Sequence, residues 1–321
     1  MSECIRWGIL STAAIAENSM IPAIRETDRG QVRAVASRSL DKAKAFAEKL
    51  NIPKAYGSYE ELLSDPDVDA IYNPLPVSLH ADWSIKAAEA GKPVLCEKPL
   101  ALNSREAEQM IEAFASRNLL LSESLMYRYH ALTLKIKEML DDGCIGRPVM
   151  MHAMFNALIP EKDIRRSSET GGGAMLDLGC YCLSVQRYLA GEEPDAVTAV
   201  GHMANGVDVN ISGAMRFPSG LTGHFGCSLD AAFDCRYEVW GSEGRILSDM
   251  GAMCAWPGQK FIIKHWAGDD YKEIEVKETN PYQRVADDFQ AALLDGKAMD
   301  ITLKDTLQNM KTLDAALHQV E

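Results

Sequence analysis

Two short segments contain the residue types that acid–base chemistry requires. Lys98 lies within Glu97-Lys98-Pro99, and Asp177 and Tyr181 lie four residues apart in a second segment that opens on Gly171-Gly172-Gly173. On a helix, that spacing places a carboxylate and a phenol on one face. The three glycines let such a helix approach another backbone closely. A lysine, an aspartate and a tyrosine together could hold, orient and protonate a substrate oxygen.

Each segment also has a purely structural explanation when it is taken alone. Lys98 follows the apolar run Val94-Leu95-Cys96, which predicts a buried parallel strand, and open α/β sheets bind ligands at the carboxyl ends of such strands. A lysine beside Glu97 is equally consistent with an ion pair at the strand end. A buried carboxylate bonded to a tyrosine would account for Asp177 and Tyr181.

The two segments make chemical sense together if the reaction is a carbonyl reduction or its reverse. That reaction needs a hydride donor and an acid for the developing alkoxide. The ordinary pKa of a tyrosine is roughly 10, and a nearby ammonium lowers it by on the order of one to three units. We therefore expect Tyr181 to transfer the proton, Lys98 to lower the pKa of Tyr181 and hold a substrate hydroxyl, and Asp177 to orient the substrate.

The first 125 residues alternate apolar runs with helical patterns. Helices at 15–26, 41–50 and 79–90 are predicted between strands near 5–10, 32–36, 70–72, 94–96 and 119–121. Strands interleaved with helices of this length imply right-handed βαβ units and a parallel sheet. We expect an α/β protein in which residues 1–125 form a dinucleotide-binding Rossmann domain with a doubly wound parallel sheet.

The remainder of the chain changes to period-two patterns. Alternating apolar residues on either side of Pro218-Ser219-Gly220 predict a hairpin, and further alternation follows it. Such strands indicate a mostly antiparallel sheet with one covered face. We expect residues 126–299 to form a substrate-binding α+β domain, with the option that the helix at about 300–321 packs back on the first domain.

A phosphate-binding turn is predicted behind the first strand. Ser11, Ala13 and Ala16 occupy the three places of a G-x-G-x-x-G turn, where small side chains let backbone amides approach a pyrophosphate. We expect Ser11, Thr12, Ala13 and Ile15 to bind a dinucleotide. An ordinary helix N-cap would explain the same hydroxyls.

The next two strand ends complete the predicted cofactor site. Ser37-Arg38 follows the second strand at the place where NAD enzymes have an acidic residue, and a hydroxyl with a guanidinium suits the 2′-phosphate of NADP instead. Asn73-Pro74-Leu75 forms a stiff loop that we expect beneath the nicotinamide. His80 is predicted either to contact the cofactor or to pack and cap a helix. Glu97 and Lys98 are the last two residues predicted to bind the cofactor.

Composition excludes several functional classes. The formal net charge is −13, and no run of Lys and Arg forms a basic stripe, so nucleic acid and anionic membranes are not expected partners. No signal-peptide or membrane-spanning pattern is present in the sequence. The eight cysteines include no CxxC pair and no zinc spacing. We expect reduced thiols in a cytoplasmic protein without a metal site.

Taken together, these motifs resemble the glucose-fructose oxidoreductase, inositol dehydrogenase and MocA family of sugar oxidoreductases. The resemblance covers nearly the whole chain and rests on Trp7 to Ala13, Glu97-Lys98-Pro99 and Gly171 to Tyr181. Many members have a histidine four residues after the aspartate, where this chain has Tyr181. The chain is similar instead to the branch of dimeric dihydrodiol dehydrogenases, NADP-dependent xylose dehydrogenases and sugar ketoreductases, in which a lysine and a tyrosine are catalytic.

The resemblance implies an NADP(H)-dependent enzyme that acts on a sugar, a vicinal diol or the matching ketone. It also implies a homodimer or homotetramer formed through an open-faced sheet in the C-terminal domain. Arg128, Phe155 and Arg165 are predicted to contact the substrate. Ion pairing explains the arginines equally well, and core packing is the commoner role for a phenylalanine such as Phe155. Two alternatives stay open: an aldose 1-dehydrogenase that yields a lactone, and a noncatalytic NADP-binding sensor.

Overall fold

The computed structural model describes residues 4–277 and 279–320. They form two compact units, the first made of residues 4–125 and 282–307 and the second of the described residues of 126–281 and 308–320. The first continuous segment of unit one ends at residue 125, where the sequence analysis placed the end of the Rossmann domain. The C-terminal residues are assigned differently from the sequence analysis: residues 282–299 belong to the first unit, and residues 308–320 belong to the second.

The first unit contains a six-stranded, fully parallel sheet in the order β3-β2-β1-β4-β5-β6. This order reverses direction between β1 and β4, and it confirms the predicted Rossmann fold. Its elements are β1 (Ile5–Leu10), a π-helical turn (Ala16–Met20), α1 (Ile21–Glu26), β2 (Gly30–Ala36), α2 (Leu40–Leu50), β3 (Lys54–Tyr56), α3 (Tyr59–Leu63), β4 (Ala70–Asn73), α4 (His80–Glu89), β5 (Val94–Glu97), α5 (Ser104–Ala115) and β6 (Leu121–Ser124).

The strands of this sheet are buried on both faces, which explains their continuous apolar runs. Every residue of β4, β5 and β6 is buried, as expected where helices cover both faces of a parallel sheet. Two of the helices begin at side-chain caps: Ser39 accepts from the Lys42 amide before α2, and Asn103 accepts from the Glu106 amide before α5.

The second unit contains an eight-stranded sheet in the order β14-β13-β12-β11-β7-β10-β9-β8, in which only the β7–β10 pairing is parallel. The predicted hairpin is present, with Arg216 opposite Thr222. Helix α7 packs against β7 and β10. The elements are α6 (Ala131–Asp141), β7 (Pro148–Asn156), a π-helical turn (Met175–Gly179), α7 (Cys180–Ala190), β8 (Ala196–Ala204), β9 (Val207–Arg216), β10 (Thr222–Ser228), β11 (Asp234–Gly241), β12 (Gly244–Leu247), β13 (Lys260–Ala267) and β14 (Asp270–Lys277).

Two helices end the chain, α8 (Pro281–Asp295) and α9 (Leu303–Leu317). The rings of Phe289 and Trp7 lie 5.1 Å apart, and Asp295 forms an ion pair with Arg29, so α8 is packed on the N-terminal strand of the first unit. This aromatic contact is not encoded in the local pattern, which explains why the sequence assigned 282–299 to the other domain. Across the described part of the chain, every helix is too short or too polar to span a membrane.

Candidate active site

The predicted phosphate-binding turn begins at Ser11, which directly follows β1. Its φ is +106°, in the region that favours glycine, so the backbone has the form of a glycine turn although a serine occupies it. The Ser11 amide donates to Ala36 O at 2.9 Å, and its hydroxyl accepts from the Ala13 amide at 3.2 Å. The hydroxyl also lies 3.5 Å from Pro74 O, at the point where the strand order reverses.

The residues after β2 place a hydroxyl and a guanidinium at the same edge of the sheet. Ser37 is buried, its amide donates to Tyr56 O at 3.2 Å, and its Oγ accepts from the Ser39 amide at 3.4 Å. Arg38 is exposed. Burial raises the pKa of Tyr59, and the Arg38 charge partly opposes that rise. Arg38 is therefore accessible beside the end of β2.

The side chains of Asn73 and His80 bind other protein groups, which for His80 matches the packing alternative. Asn73 is buried and donates to Ser84 Oγ at 3.0 Å. The ring of His80 is only 1% exposed, and its two nitrogens lie 2.9 Å from Pro99 O and 2.8 Å from Leu75 O. Burial lowers the pKa of His80 to about 4. The ring thus connects the loop after β4 to the segment after β5.

Glu97 and Lys98 lie where β5 ends. Glu97 Oε1 accepts a 2.6 Å hydrogen bond from the hydroxyl of Tyr72, and Glu97 Oε2 lies 3.4 Å from the Lys98 amide. Burial raises the pKa of Glu97, whereas Tyr72 and the Lys98 charge oppose the rise. Lys98 is half-buried. The contact of Glu97 with Lys98 is thus to the backbone amide, and Lys98 lies directly after the carboxyl end of β5.

A second buried carboxyl, Glu123, was not singled out by the sequence. Its two oxygens accept from the Leu100 amide at 3.0 Å and from Thr306 Oγ1 at 3.1 Å. Burial raises the pKa of Glu123 to about 7, and the charges of Asp305 and Glu97 add to the rise. Glu123 therefore connects the segment that follows Lys98 to β6.

In the second unit the predicted carboxylate is held by a predicted arginine. Asp177 Oδ2 lies 2.9 Å from Arg165 Nε, and the guanidinium also contacts Asp163. The glycine run makes this approach possible. The Gly173 amide donates to Arg165 O at 2.9 Å, and a Cβ on Gly172 would lie only 2.4 Å from the same oxygen. The glycine segment that precedes the helix therefore lies close to the backbone of Arg165.

Tyr181 is on the same helix and is surrounded by rings. Its centroid lies 5.4 Å from that of Phe155 and 5.9 Å from that of Tyr127. Tyr181 is 6% exposed. The ring centroid of Phe155 lies 6.4 Å from that of Phe233, and the centroid of Phe233 lies 5.8 Å from that of Trp256. The rings of Phe233 and Trp256 are exposed. Phe155 is thus a direct neighbour of Tyr181, as a substrate-site residue would be.

Arg128 and Arg166, the other two arginines that the sequence offers near the site, make contacts with other residues of the second unit. The Arg128 guanidinium stacks on the ring of Tyr188, 3.9 Å from its centroid, so its observed role is a cation–π contact. Arg166 donates to Ile159 O and Leu229 O and forms an ion pair with Asp230. Arg165, by contrast, is directly beside Asp177.

Asp208, on β9, is the residue beside the candidate site that sequence reasoning missed. It is 4% exposed, and Oδ2 accepts from the Met175 amide at 2.6 Å. Burial raises the pKa of Asp208 to about 6, and its backbone hydrogen bonds oppose the rise. In the alternating pattern of β9, Asp208 falls among the residues that point to the uncovered face of the sheet. From the sequence, an acidic residue at this position between Val207 and Val209 is therefore expected to be exposed.

Comparison with known proteins matches two successive parts of the chain. Residues 5–124 match the "Oxidoreductase family, NAD-binding Rossmann fold", and residues 133–247 match the "GFO/IDH/MocA C-terminal domain". A D-xylose 1-dehydrogenase (NADP+) of Haloferax volcanii is 34% identical, with 98% of this chain and 97% of that protein aligned. A trans-1,2-dihydrobenzene-1,2-diol dehydrogenase of Xenopus laevis is 38% identical, with 75% and 74% aligned.

A solved structure extends the similarity to the whole fold. It is a tyrosine-to-phenylalanine variant of a 3-ketoreductase from Actinomadura kijaniata, in complex with TDP-benzene and NADP. The two chains are 30% identical with a TM-score of 0.94, and the match covers 99% of this chain and 98% of the other. The resemblance that the motifs indicated is thereby confirmed. The chain belongs to the GFO/IDH/MocA family of oxidoreductases.

Proposed function

We propose that this protein transfers a hydride between the nicotinamide of NADP(H) and a carbon of a sugar, a vicinal diol or the matching ketone. The observation that carries the proposal is the carboxyl edge of the first sheet. There the Ser11 turn meets Pro74 at the reversal of strand order, and Lys98 follows the neighbouring strand β5. Ligands of open α/β sheets bind at this edge. The relatives with known reactions support the substrate class and the cofactor.

The residues at this edge fit NADP. Ser11, Thr12, Ala13 and Ile15 are each partly exposed, and the positive φ of Ser11 gives the turn its glycine-like form. Their amides would hold the pyrophosphate. Ser37 and the exposed Arg38 would hold the 2′-phosphate. When bound, the nicotinamide supplies the hydride donor or acceptor.

Asn73-Pro74-Leu75, Glu97 and Lys98 would shape the nicotinamide end of the cofactor site. The side chains of Asn73 and His80 bind other protein groups and hold the backbone of this loop in place, so we propose that the loop backbone contacts the cofactor. The backbone is stiffened by Pro74, which fixes φ.

Tyr181 is the proposed acid in reduction and the base in oxidation. Its ring is confined by Phe155 and Tyr127, so the hydroxyl has few alternative positions. Its Oη gives a proton to the former carbonyl oxygen in reduction and takes that proton back in oxidation. Lys98 supplies the positive charge that favours the phenolate of Tyr181 and holds the same substrate oxygen.

Asp177 is the proposed orienting group for a neighbouring hydroxyl. The Arg165 ion pair restricts the rotamer of Asp177, and a carboxylate oxygen can accept a hydrogen bond from a substrate hydroxyl. Phe155 would pack against the apolar face of the same molecule. Arg128, whose guanidinium stacks on Tyr188, is a further proposed substrate contact.

An aldose 1-dehydrogenase is the second candidate. The xylose dehydrogenase relative, which aligns over 98% of this chain, is the observation that favours it. The same acid–base pair would take the proton from an anomeric hydroxyl and yield a lactone. The sensor alternative is disfavoured by the family assignment, whose description is an oxidoreductase family.

We also propose that the protein is a cytoplasmic homodimer or homotetramer formed through the eight-stranded sheet. Helix α7 packs against one face of β7 and β10. The other face presents residues as large as Val200, which is 74% exposed. The eight cysteines are thiols in the structure, and reduced thiols are typical of a reducing compartment. Light scattering after gel filtration would give the molar mass, and a monomer would contradict the assembly.

Absorbance of NADPH at 340 nm tests the reaction directly. The purified protein would be assayed with aldoses, ketosugars, aryl diols and diketones, in both directions. We expect turnover with at least one carbonyl or polyol and a lower KM for NADPH than for NADH. Lactone formation from aldoses, with no reduction of ketosugars, would favour the second candidate. No turnover with any compound, together with tight NADPH binding, would contradict both.

A further inference from the structure

The N-terminal end of the helix that carries Asp177 and Tyr181 rests on a buried carboxylate from another element. Asp208 Oδ2 accepts from the Met175 amide at 2.6 Å. The first amides of a helix have no partner within the helix, and an anion at this end also interacts favourably with the helix dipole. The Met175 amide is six residues before Tyr181, so this contact acts on the beginning of the same helix.

Gly173 provides the space that the Asp208 carboxylate occupies. A Cβ on Gly173 would lie 2.2 Å from Asp208 Oδ1, and the φ of Gly173 is +125°. Both the room for the carboxylate and the backbone conformation therefore require glycine. The Gly173 amide also donates to Arg165 O, and its carbonyl accepts from the Asp177 amide. The position of Asp208 is thus coupled to the Arg165–Asp177 pair.

The helix begins with a π-helical turn, Met175–Gly179. Such turns are rare, occur mostly as single turns within α-helices, and are frequent at functional sites. Because a π turn departs from the regular α-helical pattern, its geometry depends on contacts from outside the helix. Asp208 supplies one such contact from the sheet, where it is the second residue of β9.

We infer that Asp208 is a positioning residue: it fixes the first turn of this helix and thereby the place of the Tyr181 hydroxyl relative to the substrate. The inference rests on the proposed acid–base role of Tyr181. Asp208 does not itself touch the reacting atoms. Small displacements of a catalytic group can cost up to roughly 100-fold in rate, so loss of Asp208 should be seen in kcat.

The test compares Asp208→Ala with Asp208→Asn in the full-length protein. Alanine removes both acceptors, and we expect kcat to fall at least about tenfold while the KM for NADPH stays within about twofold. Asparagine keeps one oxygen for the Met175 amide, so kcat should lie between alanine and wild type. Asp195→Ala is the matched control, because Asp195 pairs with Arg216 at the other end of β9 and is more exposed; its kcat should equal wild type.

A double-mutant cycle with Tyr181→Phe separates positioning from general stability. If Asp208 acts through Tyr181, adding Asp208→Ala to Tyr181→Phe should lower kcat no further. An equal fold-loss in both backgrounds would overturn the inference. If Tyr181→Phe alone keeps full turnover, the proposed role of Tyr181 fails, and this result is seen without any Asp208 variant.

Amide hydrogen exchange gives a readout independent of turnover. Asp208→Ala and, less strongly, Asp208→Asn should increase exchange in residues 174–181 more than in β11. Should the alanine variant fail to fold, the asparagine variant carries the same test. Wild-type exchange in 174–181 and wild-type kcat in Asp208→Asn would overturn the inference.

Discussion

Arg165 Nε lies 2.9 Å from Asp177 Oδ2, so two residues that the sequence places twelve positions apart form one ion pair. The side chains are 45% and 19% exposed, which leaves the carboxylate reachable from solvent. An ion pair this exposed contributes little to stability. Its expected importance is geometric, because it sets the direction of the carboxylate on the helix that also carries Tyr181.

Replacing Arg165 with alanine should therefore weaken substrate binding more than folding. We expect the KM for the sugar or diol to rise about five- to tenfold, equivalent to roughly 1 kcal/mol or slightly more, with the KM for NADPH unchanged. Steady-state kinetics with each substrate varied in turn would measure both. Arg216→Ala, which removes a comparable surface pair with Asp195, is the control. Equal substrate KM values for both variants would contradict the assignment.

Tyr181→Phe should abolish most turnover while leaving the cofactor site intact. General acid–base catalysis contributes about 100- to 10,000-fold, so kcat should fall at least about 100-fold. The dissociation constant for NADPH, measured by fluorescence, should stay close to wild type. Tyr271→Phe is a suitable control because Tyr271 is exposed on β14. Surviving turnover in Tyr181→Phe would mean that another group transfers the proton.

Arg38→Ala tests the cofactor preference. The exposed guanidinium after β2 is expected to pair with the 2′-phosphate, which NADH lacks. The KM for NADPH should rise at least about tenfold, and the KM for NADH should change less than about twofold. Arg117→Ala, at an exposed arginine that contacts Ala113 O, controls for loss of charge. Equal increases for both cofactors would refute the 2′-phosphate assignment.

Glu123 should make the protein less stable as pH rises. Its folded pKa is raised to about 7 from 4.5, so between these values the folded protein keeps a proton that the unfolded chain releases. Stability therefore falls as pH increases through this window, by at most about 3 kcal/mol. In Glu123→Gln, the side-chain oxygen can accept from the Leu100 amide and the side-chain NH2 can donate to Thr306 Oγ1. Both hydrogen bonds are therefore kept by a side chain that does not titrate.

Urea unfolding at several pH values would measure this effect. We expect the free energy of unfolding of Glu123→Gln, relative to wild type, to increase from pH 5 to pH 8. Glu112→Gln, at an exposed position of α5, should follow the wild-type curve. Parallel curves for Glu123→Gln and wild type would show that Glu123 does not titrate in this range.

The sequence was sufficient for those features that depend on local pattern and turn chemistry. Continuous apolar runs predicted strands buried on both faces, and their alternation with helices predicted the parallel sheet. The order of small residues after β1 located the Ser11 turn, and the Asp177–Tyr181 spacing placed both side chains on one helix. Each of these inferences needs only neighbours within a few residues, where backbone geometry is nearly fixed.

Only the tertiary structure decided which distant side chains meet. It paired Arg165 with Asp177, turned both nitrogens of His80 toward backbone carbonyls, and stacked Arg128 on Tyr188. It also placed Asp208 beneath the start of the Tyr181 helix, against the parity of its strand. Such contacts join residues from different elements, and packing of those elements, rather than any local period, determines which side chains come within hydrogen-bonding distance.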